Sequence, residues 1–154
     1  MASSFLLLWA LALLSVTVEA SSSGGTLDRA KLAGQAELFG SDLTNLYNSP
    51  VYLAERMQRP LDGWPFKLGD ISHTGVRVTL RDGSQWLIHK GHNAGISSNT
   101  VVTDARHMSS KWSTLSTRDF QGSRTVSDFV GAGGPNYNLA RDNCHMASDR
   151  MMDQ

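Results

Sequence analysis

Residues Ile71 to Lys90 read ISHTGVRVTLRDGSQWLIHK, and this stretch decides the fold. Val76, Val78 and Leu80 alternate onto one face, Arg81-Asp82-Gly83 supplies turn chemistry, and Ser84 to Lys90 returns as a second strand. Period-two alternation on both sides of an Asp-Gly pair is a strong short-range signal for a β-hairpin. Two loop lengths fit it. A two-residue loop, Asp82-Gly83, sets Arg81 against Ser84, His89 against Val76 and His73 against His92. A three-residue loop, with Gly83 left-handed, sets Leu80 against Ser84 and Gly75 against His89. His73 and His89 then become diagonal neighbours on one face, roughly 7 Å apart, with Gly75 leaving space beside the rings. The pattern itself favours neither loop.

Upstream of the hairpin the sequence predicts a helical lead-in. Leu27 to Phe39 has imperfect amphipathic spacing, Ser41-Asp42 can cap a second short helix through Leu46, and Val51 to Met57 reads as a third helical piece between Asn48-Ser49-Pro50 and Pro60. Downstream, residues 91 to 110 read as surface loop around a short strand at Val101-Val102. Trp112 to Thr117 predicts a strand, Thr125 to Val130 a short helix or strand, and Gly131-Ala132-Gly133-Gly134-Pro135 a break. Cys144 to Met152 holds no breaker and predicts a C-terminal helix. Cys144 falls in its first turn, Asp142 or Asn143 is the cap, and Met146, Met151 and Met152 form a packing face. The fold class is therefore α+β, a small antiparallel sheet packed with helices. Trp64, Trp86 and Trp112 read as core or rim.

At the amino end, Phe5 to Val18 is an uncharged apolar run of 14 residues, followed by Val18-Glu19-Ala20 and a Ser/Gly-rich stretch. Such a run spans only about two-thirds of a hydrocarbon core. With small residues after it, it reads as a signal peptide over 1–20, a flexible start over 21–26 and a single α+β domain over 27–154. The mature protein is then secreted, with 14 basic and 13 acidic residues. That balance suggests neither nucleic acid nor an anionic membrane as partner, and no later stretch is long enough to span a membrane. No Asn-x-Ser/Thr acceptor is present. Cys144 is the only cysteine, where small exported domains ordinarily carry even sets. A lone thiol in an oxidising compartment is buried, paired between chains or used chemically.

Chemical use requires a nucleophilic thiol. A helix N-terminus favours negative charge, and a neighbouring imidazole held by a third polar group completes the activation. Cys144 has the first property, and His73 and His89 are the candidates for the rest. His92 is the substitute if the hairpin loop is the shorter one. His107 and His145 read as surface residues without a role, and a part for Asn143 at an oxyanion site is the least supported expectation. His89, His92 and Cys144 could alternatively ligate zinc, though a spacing of three has little specificity; no metal or other cofactor is expected.

Ser72-His73-Thr74-Gly75-Val76 with Val78, then Trp86-Leu87-Ile88-His89, then Tyr137-Asn138-Leu139 with Asp142-Asn143-Cys144-His145 together resemble the circularly permuted papain-like thiol enzymes. The likeness is to the lecithin retinol acyltransferase group and its relatives among cell-wall amidopeptidases, over about residues 66–152. It implies Cys144 as nucleophile, His73 as general base, His89 as the ring-orienting third member, and an oxyanion site at the Cys144 backbone N–H. Thr74 stands where the acyltransferases carry an aromatic residue, and His145 where they carry an acid. The resulting expectation is a secreted thiol hydrolase or acyl transferase acting on an extracellular peptide, peptidoglycan or acyl substrate. An inactive binding module on the same scaffold and a disulfide-linked structural protein are the alternatives.

Overall fold

The computed structural model describes residues 40–61, 72–95 and 98–154. The expected signal peptide, the Ser/Gly-rich start, the helix at Leu27–Phe39 and Trp64 lie outside those residues. Helix α1 (Gly40–Asn48) leads into strand β1 (Pro50–Pro60). Strands β2 (Ser72–Leu80), β3 (Gln85–Lys90) and β4 (Thr100–Asp104) follow, then a single 3-10 turn and the long β5 (Ser113–Thr125). Helices α2 (Val126–Gly133) and α3 (Cys144–Asp153) complete the chain. The five strands form one antiparallel sheet in the order β4-β3-β2-β1-β5, so the described fold is α+β.

The β2–β3 hairpin takes the three-residue loop. Leu80 donates its N–H to the Ser84 carbonyl at 2.9 Å and Gly75 pairs with His89. Two local features select that loop. Gly83 sits at φ 82°, a left-handed conformation that glycine adopts without a Cβ clash. The Asp82 carboxylate accepts from the Ser84 N–H at 2.9 Å and from its hydroxyl at 2.6 Å.

The expected third helical piece at Val51–Met57 is instead β1, between β2 and β5. Its buried apolar positions, Val51, Ala54 and Met57, recur every three residues, which imitates a helix. The register shifts between Val51 and Leu53, so Tyr52 is an extra residue and Val51 and Ala54 share a face. Met57 pairs with Gly75 on the opposite face, which is also covered. A central strand buried on both sides loses its alternation.

The helices lie on the sheet face that carries Val76, Val78, Leu80 and Ile88. Those residues form the core with Val51, Ala54, Phe120, Phe129, Ala147, Met151 and Met152. Full burial of one such side chain is worth about 1.5–3 kcal/mol. Helix α2 starts at a capping box, in which Thr125 Oγ1 accepts from the Asp128 N–H and the Asp128 carboxylate accepts from the Thr125 N–H. It runs into the glycine stretch and stops at Gly134, φ 80°, later than the sequence suggested. Met151 and Met152 pack as expected, whereas Met146 is exposed.

Candidate thiol and histidine site

Helix α3 begins as the sequence predicts, with Asn143 rather than Asp142 as cap. The Asn143 side-chain oxygen accepts from the N–H groups of His145 (3.0 Å) and Met146 (3.1 Å), and the Asn143 carbonyl accepts from Ala147. The Asn143 amide donates to the Leu139 carbonyl. Its side-chain oxygen is thus engaged in capping and its amide in a bond to the preceding loop. Among the described hydrogen bonds, the Cys144 N–H is the one donor of the first helical turn that the cap leaves free. Cys144 itself is buried.

His73 and His89 meet as the longer loop requires. His73 Nε2 lies 3.1 Å from His89 Nδ1, with the rings edge to face at 88°. Gly75 makes this approach feasible, since a Cβ there would stand 2.9 Å from the His89 Cβ. Burial, then the facing His89, then the Arg59 guanidinium and the nearby His145 ring, hold His73 well below the ordinary imidazole range. Burial first and Arg59 second bring His89 down to about 4. Both rings are therefore neutral near pH 7. One ring nitrogen must then donate to the other. Only if His73 Nε2–H donates to His89 Nδ1 is His73 Nδ1 left with a lone pair. That direction also survives protonation of His73, whose Nε2–H continues to donate, so His89 can hold the ring through a proton transfer. Trp112 lies edge-on to His73, 5.6 Å between centroids, and Arg59 sits over the Trp112 ring.

Cys144 is brought to the start of β2 and is bonded to neither ring. Its Sγ lies 4.0 Å from the Ser72 carbonyl oxygen, so thiol and His73 flank the Ser72–His73 peptide unit. Strand alternation explains the separation: Thr74 and Val76 face α3, whereas His73 and Gly75 face the other side of β2. His145 occupies the helix side and is more engaged than the sequence suggested. Its Nε2 donates to the Ser72 carbonyl at 3.0 Å, which leaves Nδ1 to accept from Thr74 Oγ1 at 3.4 Å. Thr74 accepts in turn from Ser148, and Ser148 from Arg56. Thr74 and His145, the two departures from the acyltransferase pattern, are thus partners that pin α3 to β2.

Other residues at the site carried no sequence signal or an overlooked one. Tyr137 is stacked obliquely on His92, 5.9 Å between centroids. Burial and then the neighbouring Cys144 raise its hydroxyl above the ordinary phenol range. Lys90 is fully buried and ion-paired to Asp142, to which the exposed Arg150 also pairs. Its signal was legible: Trp86, Ile88 and Lys90 alternate onto one face, and a lysine on the buried side of a strand needs a partner. His89, His92 and Cys144 do not gather as a zinc site; among the described residues no group of three or more His, Cys, Asp or Glu side chains is placed to hold a metal ion. Nor, among those residues, is any helix long and apolar enough to cross a membrane. Comparison with protein-family models, curated proteins and solved structures found no match.

Proposed function

We propose that the chain is a secreted thiol hydrolase or acyl transferase on a circularly permuted papain-like scaffold, with Cys144 as nucleophile, His73 as base and His89 as its orienting partner. The observation that carries this reading is the 3.1 Å His73–His89 contact between two neutral rings, set beside a thiol at a helix N-terminus. A His73 ring held through Nε2 keeps Nδ1 as its free lone pair, which is what a general base needs. In the reaction, Sγ leaves the Ser72 carbonyl and approaches His73 around the start of β2, the thiol proton passes to His73 Nδ1, and Sγ attacks an acyl carbonyl. The Cys144 N–H donates to the developing oxyanion. Collapse breaks the bond to the amine or alcohol, which leaves with the proton from His73, and water or an acceptor then cleaves the thioester. Sγ bonded to the Ser72 carbonyl is a resting arrangement, since such contacts commonly tighten only with substrate. An extracellular peptide or peptidoglycan amide suits export better than a lipid ester.

The second reading, an inactive binding module, draws on the same observation of a thiol bonded to a backbone carbonyl and to neither ring. Burial of Cys144 disfavours the interchain disulfide. Iodoacetamide labelling of Cys144 from about pH 4 to 9, followed by mass spectrometry in the native protein and in His73→Ala, separates them. The enzyme reading expects labelling at pH 7 to fall at least about tenfold in the variant, less than the roughly hundredfold or more that a positioned base contributes to a full reaction. Two superimposable curves, both those of an ordinary thiol titrating near about 8.5, would leave the binding module.

A further inference from the structure

Lys90 follows His89 on β3, and the pleat sends the two side chains to opposite faces: His89 to His73, Lys90 inward toward the helices. The lysine is buried completely. Its Nζ donates to Asp142 Oδ1 at 2.7 Å and to the Gly133 carbonyl at 2.7 Å. Arg150, two turns into α3, donates to the same Oδ1 at 2.7 Å and to the carbonyls of Ala132 and Gly133. One carboxylate therefore joins β3, the last turn of α2 and α3.

Asp142 is also fixed through its backbone. It exchanges hydrogen bonds with Asn138 in both directions, at 2.9 and 2.8 Å. The next residue is the cap Asn143, and the one after is Cys144. A buried ion pair is poor value as a source of stability, because apolar residues of similar volume commonly do as well. What it supplies is a directional tie of fixed length.

We propose that Lys90, Asp142 and Arg150 form a clamp that sets the height of the Cys144 N–H and thiol relative to the histidine-bearing end of β3. These are positioning residues, touching neither substrate nor the reacting atoms, and the inference rests on the thiol chemistry proposed above. Without Lys90, the Asp142 carboxylate keeps only Arg150, which belongs to the same helix as Cys144. The loop then loses its tie to β3, and the thiol end of α3 is left to the contacts of His145 and Ser148 with β2, so that it can shift relative to His89. A displacement on the order of 1 Å is enough to cost a positioned group much of its effect.

The test uses the full chain as native protein, Lys90→Met, Asp142→Asn and the control Leu46→Ala. Leu46 is a buried core residue on α1. Thermal midpoints and the pH profile of Cys144 labelling are measured for each. The clamp expects Lys90→Met to lower labelling at pH 7 about tenfold and to move its profile toward that of a free cysteine. Asp142→Asn, whose amide oxygen still accepts from Lys90, shifts it less, and Leu46→Ala lowers the midpoint while leaving the profile in place. Should Lys90→Met not fold, Asp142→Asn carries the test alone. A folded clamp variant with the native profile overturns the proposal, as does a Leu46→Ala profile that moves in step with its midpoint. A native protein that already labels like a free cysteine removes the proposed chemistry and the clamp together; a native profile distinct from free cysteine but unmoved by the variants removes the clamp alone.

Discussion

At the scale of single residues, the direction of the His73–His89 bond makes the sharpest demand. In the proposed reaction His89 serves only as an acceptor at Nδ1, so a side chain with a well-placed oxygen can replace it. His89→Gln is expected to retain labelling of Cys144 within about tenfold of native, whereas His89→Leu, which leaves His73 Nε2 unsatisfied, falls to the level of His73→Ala. Equal labelling in the Gln and Leu variants would exclude the orienting role. The sequence made these three residues legible for different reasons. Cys144 stood out because an unpaired cysteine is anomalous in an exported chain, and the histidines because one of two hairpin registers aligned them. His145 was passed over because nothing in CHMASDRMM distinguishes a solvent-facing position from one folded back on β2. Its Thr74 and Ser72 partners lie about 70 residues away, beyond any local pattern.

At the scale of elements, β2 and α3 were readable because each carries its own punctuation. The hairpin has Arg81-Asp82-Gly83, and the helix has an Asn cap before an unbroken run. β1 was misread because a bulge and two-sided burial imposed a spacing of three on its apolar residues, and neither is visible without the flanking strands. Gly75 tests the junction of β2 and β3. A methyl group there would meet the His89 Cβ at 2.9 Å, the Ile88 carbonyl at 3.1 Å and Leu87 at 3.2 Å, and two of these three are backbone or Cβ atoms that cannot turn away. Gly75→Ala is expected to destabilise the fold by about 1–3 kcal/mol, as overpacking does, and to part the histidine rings. Urea denaturation reads the first effect. A wild-type midpoint would show that the hairpin yields at no cost. For α3, Asn143→Ala removes the acceptor of two N–H groups and is expected to lose about 1 kcal/mol. A loss below a few tenths in the same assay would mean water replaces the cap.

At the scale of the whole molecule, the partly buried histidines make stability depend on pH, and the sign follows from the direction of their displacement. In the unfolded chain an imidazole takes up a proton below about 6.5. In the folded chain His89 resists until about 4, and His73 is likewise displaced well downward. Between those values the unfolded state binds more protons, so stability falls as pH drops from 6.5 toward 4. Above 6.5 the full stability is present; below about 4 His89 takes nothing further. Each tenfold change in proton affinity is worth about 1.4 kcal/mol, so His89 alone accounts for on the order of 3 kcal/mol. The carboxylates add a separate loss at lower pH. Burial would raise the Asp142 carboxyl, but its bonds to Lys90 and Arg150 outweigh that and hold it below the usual range, so its contribution survives until the carboxyl protonates. The two regimes separate in one experiment. Urea midpoints at pH 7 and 4.5 should differ strongly in the native protein and distinctly less in His89→Gln, which keeps the acceptor and cannot titrate. An undiminished difference in that variant would place the acid sensitivity elsewhere in the molecule. It would also leave the paired rings without the neutral state on which a free lone pair at His73 depends.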